Sequence, residues 1–152
     1  MAAYCSSAER CEQDVRQKLV KAELEPEAVS RIINRLRQEK FIDEARFART
    51  FVSDKFRFNH WGKYKIRCEL LRKEISEEEI ELALSSLEME EYDQVLMDLL
   101  KTKMKSVKAK DERERYYKLL RFAVGRGFQP AEAGACLKRL LKGGDHEEFD
   151  MD

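Results

Sequence analysis

The chain has 152 residues, 43% of them apolar and 39% charged, and its 30 basic and 30 acidic side chains cancel to a net charge of zero. That length allows one ordinary domain or a few small repeated units, while six glycines and two prolines are too few to punctuate a sandwich or barrel. No apolar run approaches the roughly 20 residues of a membrane span, and the N-terminus lacks the pattern of a secretory signal, so a soluble, cytoplasmic, mostly helical protein is expected.

Taken in chain order, nearly everything from residue 7 to residue 142 reads as helix. Ala8, Cys11, Val15, Leu19 and Ala22 recur at steps of three and four and predict a first amphipathic helix. Val29, Ile32, Ile33 and Leu36 predict a second, opened by Pro26 in the first turn. Asp43 is placed to cap a third, with Phe47, Phe51 and Val52 inside. Ile66, Leu70 and Leu71 mark the next helix. Ser76 with Glu79 forms a capping box before Ile80, Ala83, Leu84 and Leu87. Tyr92, Val95, Leu96, Leu99 and Leu100 follow, then Tyr116, Leu119, Leu120 and Ala123. Gly125 and Gly127 suit a helix C-terminus, and Pro130 opens the last helix, with Ala133, Leu137, Leu140 and Leu141.

These signals repeat. Leu24, Ile75 and Phe128 align at offsets of 51 and 53 residues, and Val15, Ile66 and Leu119 fall together, as do Ile33, Leu84 and Leu137. A period near 50 residues with helix-turn-helix content predicts an all-α fold of elongated tandem three-helix units. The expected boundaries are 7–58 and 59–108 for two complete units and 109–142 for a truncated third. An acidic, disordered tail is expected at 143–152.

Charge is distributed in blocks. From Arg46 to Lys73 nine basic residues face two acidic ones, and from Glu74 to Asp93 nine acidic residues occur with no basic one. Lys101, Lys103, Lys105, Lys108 and Lys110 then restore a basic run. Zero net charge excludes an overall polyanion-binding coat, but not local basic faces. The first basic block is interleaved with Phe56, Phe58, His60, Trp61 and Tyr64. Cations neutralise phosphates and aromatic rings stack on unpaired bases. A solvated charged face over core aromatics fits the same spacing equally well. Trp61 stands apart because it lies in a connection before Gly62 rather than on an apolar stripe.

Catalytic signatures are missing from the sequence: it has no phosphate loop, no G-x-G-x-x-G, no H-E-x-x-H and no G-x-S-x-G, and only His60 and His146 as histidines. Glu77, Glu78, Glu79 and Glu81 suit the start of a solvated helix better than a carboxylate pair. Cys5, Cys11, Cys68 and Cys136 include no C-x-x-C pair, so neither a metal nor a cofactor is expected, and Cys11 and Cys136 read as small apolar side chains. The chain is not expected to be an enzyme.

Asp43-Glu44-Ala45-Arg46-Phe47-Ala48 resembles the D-x-x-R-F-A signature of the bacterial RecX regulatory proteins, Gly62-Lys63-Tyr64-Lys65-Ile66-Arg67-Cys68-Glu69-Leu70 resembles their G-x-x-x-I-x-x-E-L segment, and Arg126-Gly127-Phe128 resembles their R-G-F turn. The motifs keep their order and separation across about residues 7 to 141. Two departures stand out: Glu23 and Glu74 occupy turn positions where the family usually has glycine. The resemblance implies a regulator that binds the RecA recombinase filament on single-stranded DNA, lodges in its groove and suppresses ATP hydrolysis, strand exchange and co-protease activity, and a monomer is expected. Within it, Arg46, Arg49, Arg57, Trp61, Lys63, Lys65, Arg67, Arg72 and Lys73 are the expected filament or DNA contacts. Core packing is the stronger reading for Phe47, and packing and contact weigh alike for Arg46. The alternative is a stand-alone DNA-binding protein built of helix-turn-helix-like units.

Overall fold

A computed structural model describes residues 1–144, and all regular structure among them is helical: α1 (Ala2–Ser7), α2 (Glu12–Lys21), α3 (Pro26–Gln38), α4 (Glu44–Arg57), α5 (Lys63–Arg72), α6 (Glu77–Ser85), α7 (Met89–Met104), α8 (Glu112–Gly125) and α9 (Pro130–Gly144). The all-α expectation holds. Gly143 and Gly144 belong to α9, and residues 145–152 of the expected tail lie outside the described residues.

The described residues divide into two compact units, one of Met1–Asp54 with Arg67–Ser86, the other of Lys55–Ile66 with the described residues from Leu87 onward. In the first unit α2 packs on α3. Val15, Leu19, Val29, Ile33, Leu36 and Ile42 form a buried cluster there with Cys5. Helix α1, which supplies Cys5, has no side-chain cap and only six residues. Its apolar period is too short to read from sequence, and burial rather than propensity holds it. Cys11 differs from its expected place inside an amphipathic stripe. It is the N-cap of α2, paired with Asp14 in a reciprocal capping box, which leaves Ala8 and Ala22 exposed outside the helix.

In the second unit α7, α8 and α9 pack on one another around Leu96, Leu100, Leu119, Ala123, Phe128, Ala133 and Leu137. The buried Tyr92 ring lies between two aromatic neighbours, with centroids 5.5 Å from Phe56 and 5.2 Å from Phe128.

Helix ends follow local chemistry. Asp43 Oδ1 accepts from Arg46 N–H at 3.0 Å, Ser76 Oγ accepts from Glu79 N–H at 3.3 Å, and Asp111 Oδ1 accepts from Glu114 N–H at 2.8 Å. Each satisfies a donor that the first turn leaves without an intrahelical partner. The 51- and 53-residue offsets correspond to one recurring turn. Leu24 N–H bonds to Leu19 O, Ile75 N–H to Leu70 O and Phe128 N–H to Ala123 O, at 3.4, 3.1 and 3.1 Å. The residue before each is left-handed: Glu23 at φ 62°, Glu74 at φ 61° and Gly127 at φ 101°. These are Schellman caps, whose geometry favours glycine because a Cβ crowds the backbone. Only the third has one.

That third glycine has a second reason. Gly62 N–H donates to Arg126 O at 2.7 Å and Tyr64 N–H to Gly127 O at 3.0 Å, so the start of α5 is capped by carbonyls at the end of α8. Lys63 N–H, between them, donates to Tyr92 Oη at 2.9 Å. The backbones touch: a Cβ on Gly62 would overlap the Gly127 carbonyl group, and one on Gly127 would meet Lys65 N at 2.7 Å and Gly62 O at 2.9 Å.

Two stability measurements follow by chemical denaturation. Glu74→Gly relieves a left-handed side chain at an exposed turn and should stabilise the protein by about 1 kcal/mol; a loss of stability would show that the glutamate side chain contributes more than its backbone strain costs. Gly62→Ala should destabilise by about 3 kcal/mol, since backbone rather than a yielding side chain blocks the methyl group. Its control is Gly125→Ala, where a Cβ meets nothing within 4 Å and the change should be neutral or slightly stabilising.

Candidate functional site

Of the nine cation and aromatic positions singled out in sequence, Arg46, Arg49, Arg67, Arg72 and Lys73 belong to the first unit, and Arg57, Trp61, Lys63 and Lys65 to the second. Their surroundings differ in kind.

In the first unit the cations meet acceptors. Arg46 Nε donates to Glu9 Oε2 at 2.7 Å and Nη2 to the Lys40 carbonyl at 3.1 Å, so this side chain ties the end of α3 to residues preceding α2. Beside it Phe47 and Ala48 are buried, and the Phe47 and Phe51 rings stack with centroids 5.8 Å apart. The D-x-x-R-F-A segment is therefore a capped helix start, a carbonyl clamp and a core contact in succession. Arg67 pairs with Glu81 and Arg72 with Glu69. Lys73 Nζ lies 3.3 Å from Asp14 Oδ1 and 5.9 Å over the Phe47 ring. Arg49 is exposed on α4.

In the second unit several cations lie over rings, while Arg115 pairs with Glu112 and Lys118 with Glu114. Lys65 Nζ lies 4.5 Å from the Trp61 ring centroid and Lys55 Nζ 4.9 Å from it. Lys63 Nζ sits 4.7 Å from the Tyr92 centroid. Lys103 Nζ and Arg126 Cζ lie 5.0 and 5.8 Å from the Phe122 centroid. A ring face attracts a cation but does not neutralise it. Arg57 Nε lies 3.2 Å from Glu91 Oε1. Among the described residues no ion pair reaches Lys63, Lys65, Lys103 or Arg126.

Lys55, Tyr92 and Arg126 thus join the residues that sequence reasoning named. Lys55 was visible in the basic run and Arg126 in the R-G-F turn, but nothing in the sequence signals that Tyr92, 29 residues after Lys63, receives its amide. The connection that carries this group is set locally. His60 is left-handed at φ 57°, Trp61 N–H closes back on Lys55 O at 3.0 Å, and Gly62 then meets Arg126.

Among the described residues no group of three metal-ligating side chains comes together. Cys5, Cys11 and Cys136 are buried, and burial pushes the Cys11 thiol up to about 12. Glu77 and Glu78 are exposed in the first turn of α6, with Glu79 half-buried beside them. No described helix is long and apolar enough to cross a membrane.

Comparison with known proteins gives this arrangement its relatives. A family profile described as RecX, second three-helix domain, matches residues 43–84. The regulatory protein RecX of Prosthecochloris aestuarii is 33% identical over 141 residues, covering 91% of this chain and 89% of that one. The regulatory protein RecX of Clostridium acetobutylicum is 30% identical over 137 residues, covering 87% of this chain. The chain spans 62–64% of the length of this and two other clostridial relatives. A crystal structure of regulatory protein RecX superposes with a TM-score of 0.79 at 26% identity, over 86% of this chain and 64% of that one. The RecX structure from Lactobacillus salivarius shares the fold at a TM-score of 0.81 and 20% identity, over 91% and 90% of the two chains. With near-complete mutual coverage at 33% identity, the chain belongs to the RecX family of regulatory proteins.

Proposed function

We propose that this protein regulates a RecA recombinase by binding its filament on single-stranded DNA and lowering ATP hydrolysis, strand exchange and co-protease activity. The observation that carries the reading is the 33% identity with the Prosthecochloris aestuarii RecX over nine-tenths of both chains. The family is one of regulators, and a regulator of a polymer acts through a surface rather than through a pocket of reactive groups. It acts as a cytoplasmic monomer without a cofactor.

Arg46, Arg49, Arg57, Trp61, Lys63, Lys65, Arg67, Arg72 and Lys73 are the proposed contacts. For Arg46 the clamp on Glu9 and Lys40 adds a structural role to that of contact. The division at 7–58, 59–108 and 109–142 is part of the same proposal, supported by the turn that recurs at Glu23, Glu74 and Gly127.

The test is single-strand-dependent ATP hydrolysis by the RecA of the same organism, with this protein titrated from substoichiometric to equal amounts. The wild-type protein should inhibit strongly. A variant with Lys63, Lys65, Arg67 and Arg72 all changed to Gln keeps the side-chain stems and removes four charges; it should lose at least tenfold in potency, about 1.4 kcal/mol of binding free energy. Undiminished inhibition by that variant would displace the contact surface, and a folded wild-type protein without effect at any ratio would overturn the function.

A further inference from the structure

Helices α8 and α9, which pack together in the second unit, leave an apolar groove open to solvent. Its volume is about 400 Å³, and it is lined by Tyr116 of α8 and by Lys138, Leu141 and Lys142 of α9. Gly134, Lys138 and Leu141 recur at steps of four and three, so they share one face of α9. Gly134 lets the Tyr116 ring come close to that face, since a Cβ there would stand 3.2 Å from Tyr116 Oη. Tyr117 continues the apolar surface: its ring meets Tyr116 edge to face with centroids 5.4 Å apart and is 46% exposed.

The rim of the groove is positive. Lys138 and Lys142 are both exposed and stand one turn apart. Among the described residues no ion pair reaches either of them, whereas Arg115 and Lys118 of α8 are matched by Glu112 and Glu114. An apolar floor with two cations at its edge fits a ligand that carries a large apolar side chain among carboxylates. A polyanion without such a side chain would meet the lysines and leave Tyr116 and Leu141 uncovered.

The chain supplies a segment of that composition directly after α9. Asp145-His146-Glu147-Glu148-Phe149-Asp150-Met151-Asp152 sets five carboxylates around Phe149 and Met151. Reach is sufficient. Five residues lead from the end of α9 to Phe149 and span up to about 16 Å when extended. Leu141 lies about 4.5 Å, and Lys138 about 9 Å, back along the helix from Gly144 at 1.5 Å per residue. A separate acidic protein could make the same contacts, but it would compete with a tethered segment whose effective concentration is in the millimolar range.

We infer that residues 145–152 seat on this groove, with Phe149 against Tyr116 and Leu141 and the flanking carboxylates facing Lys138 and Lys142. The contact is internal to the chain and needs no recombinase, so it stands or falls apart from the regulatory reading above.

The test uses the full chain and a labelled peptide with the sequence of residues 144–152, followed by anisotropy. Phe149→Ala lies outside every described element and should leave the groove vacant. The peptide should bind the Phe149→Ala chain about tenfold more tightly than the wild type, because in the wild type only the fraction of molecules with an open groove can take it. Adding Lys138→Gln and Lys142→Gln to the Phe149→Ala chain should weaken peptide binding at least tenfold, and raised salt should weaken it in the same direction. In the wild-type chain, nuclear Overhauser contacts should join the Phe149 ring to the Leu141 methyl groups. Equal affinity of the peptide for the wild-type and Phe149→Ala chains would overturn the segment as occupant. Absence of peptide binding to the Phe149→Ala chain, undiminished binding in the lysine variant, or equal binding of a peptide that itself carries Phe149→Ala would each overturn the docking.

Discussion

The contact of Gly62 with Gly127 is the constraint on which the second unit's surface depends. Two hydrogen bonds, Gly62 N–H to Arg126 O and Tyr64 N–H to Gly127 O, bind the first turn of α5 to the end of α8. They do so at a separation that admits no side chain on either glycine. Gly127 meets two demands at once, a left-handed backbone and a close approach. Tyr92 Oη fills the place between these bonds, taking the Lys63 amide. Lys63 and Lys65 therefore leave the backbone at fixed points, and Trp61 is held immediately before them. Two segments of the family resemblance, the one beginning at Gly62 and the one at Arg126, are thus the two sides of a single joint.

Charge is handled in two ways in this chain, and zero net charge hides this. Where cations stand opposite carboxylates, as with Arg72 and Glu69 or Arg67 and Glu81, exposed pairs of this type are individually weak and serve mainly to satisfy and orient. Where cations stand over rings, as at Trp61, Tyr92 and Phe122, the positive field persists at the surface.

The fold was largely legible because its signals are local. Ser76, Asp43, Pro26 and Pro130 mark helix starts through chemistry that operates within one turn. The offsets of 51 and 53 residues succeeded for the same reason, since each copy of the turn closes on its own helix. Glutamate at positions 23 and 74 obscured the left-handed backbone there, which only the aligned Gly127 reveals. Helix α1 was missed because six residues carry too short a period, and Cys11 was read as a stripe residue because a thiol is an uncommon cap. The site was less legible. Aromatic and basic residue types were visible, but whether a given cation meets a carboxylate or a ring depends on partners distant in sequence. Glu9 lies 37 residues from Arg46, and Asp14 lies 59 from Lys73. Packing decides such pairings, and no local rule encodes them.

Amide hydrogen exchange at Gly62, Tyr64 and Phe128 tests the joint most directly. If the glycine contact is integral to the second unit, the amides of Gly62 and Tyr64 exchange only when α8 itself opens, with protection equal to that of the Phe128 amide in the adjoining cap. Rapid exchange at Gly62 and Tyr64 beside a protected Phe128 would contradict the account: the connection bearing Trp61 would then detach without disturbing the core, and the glycines would not be what fixes it.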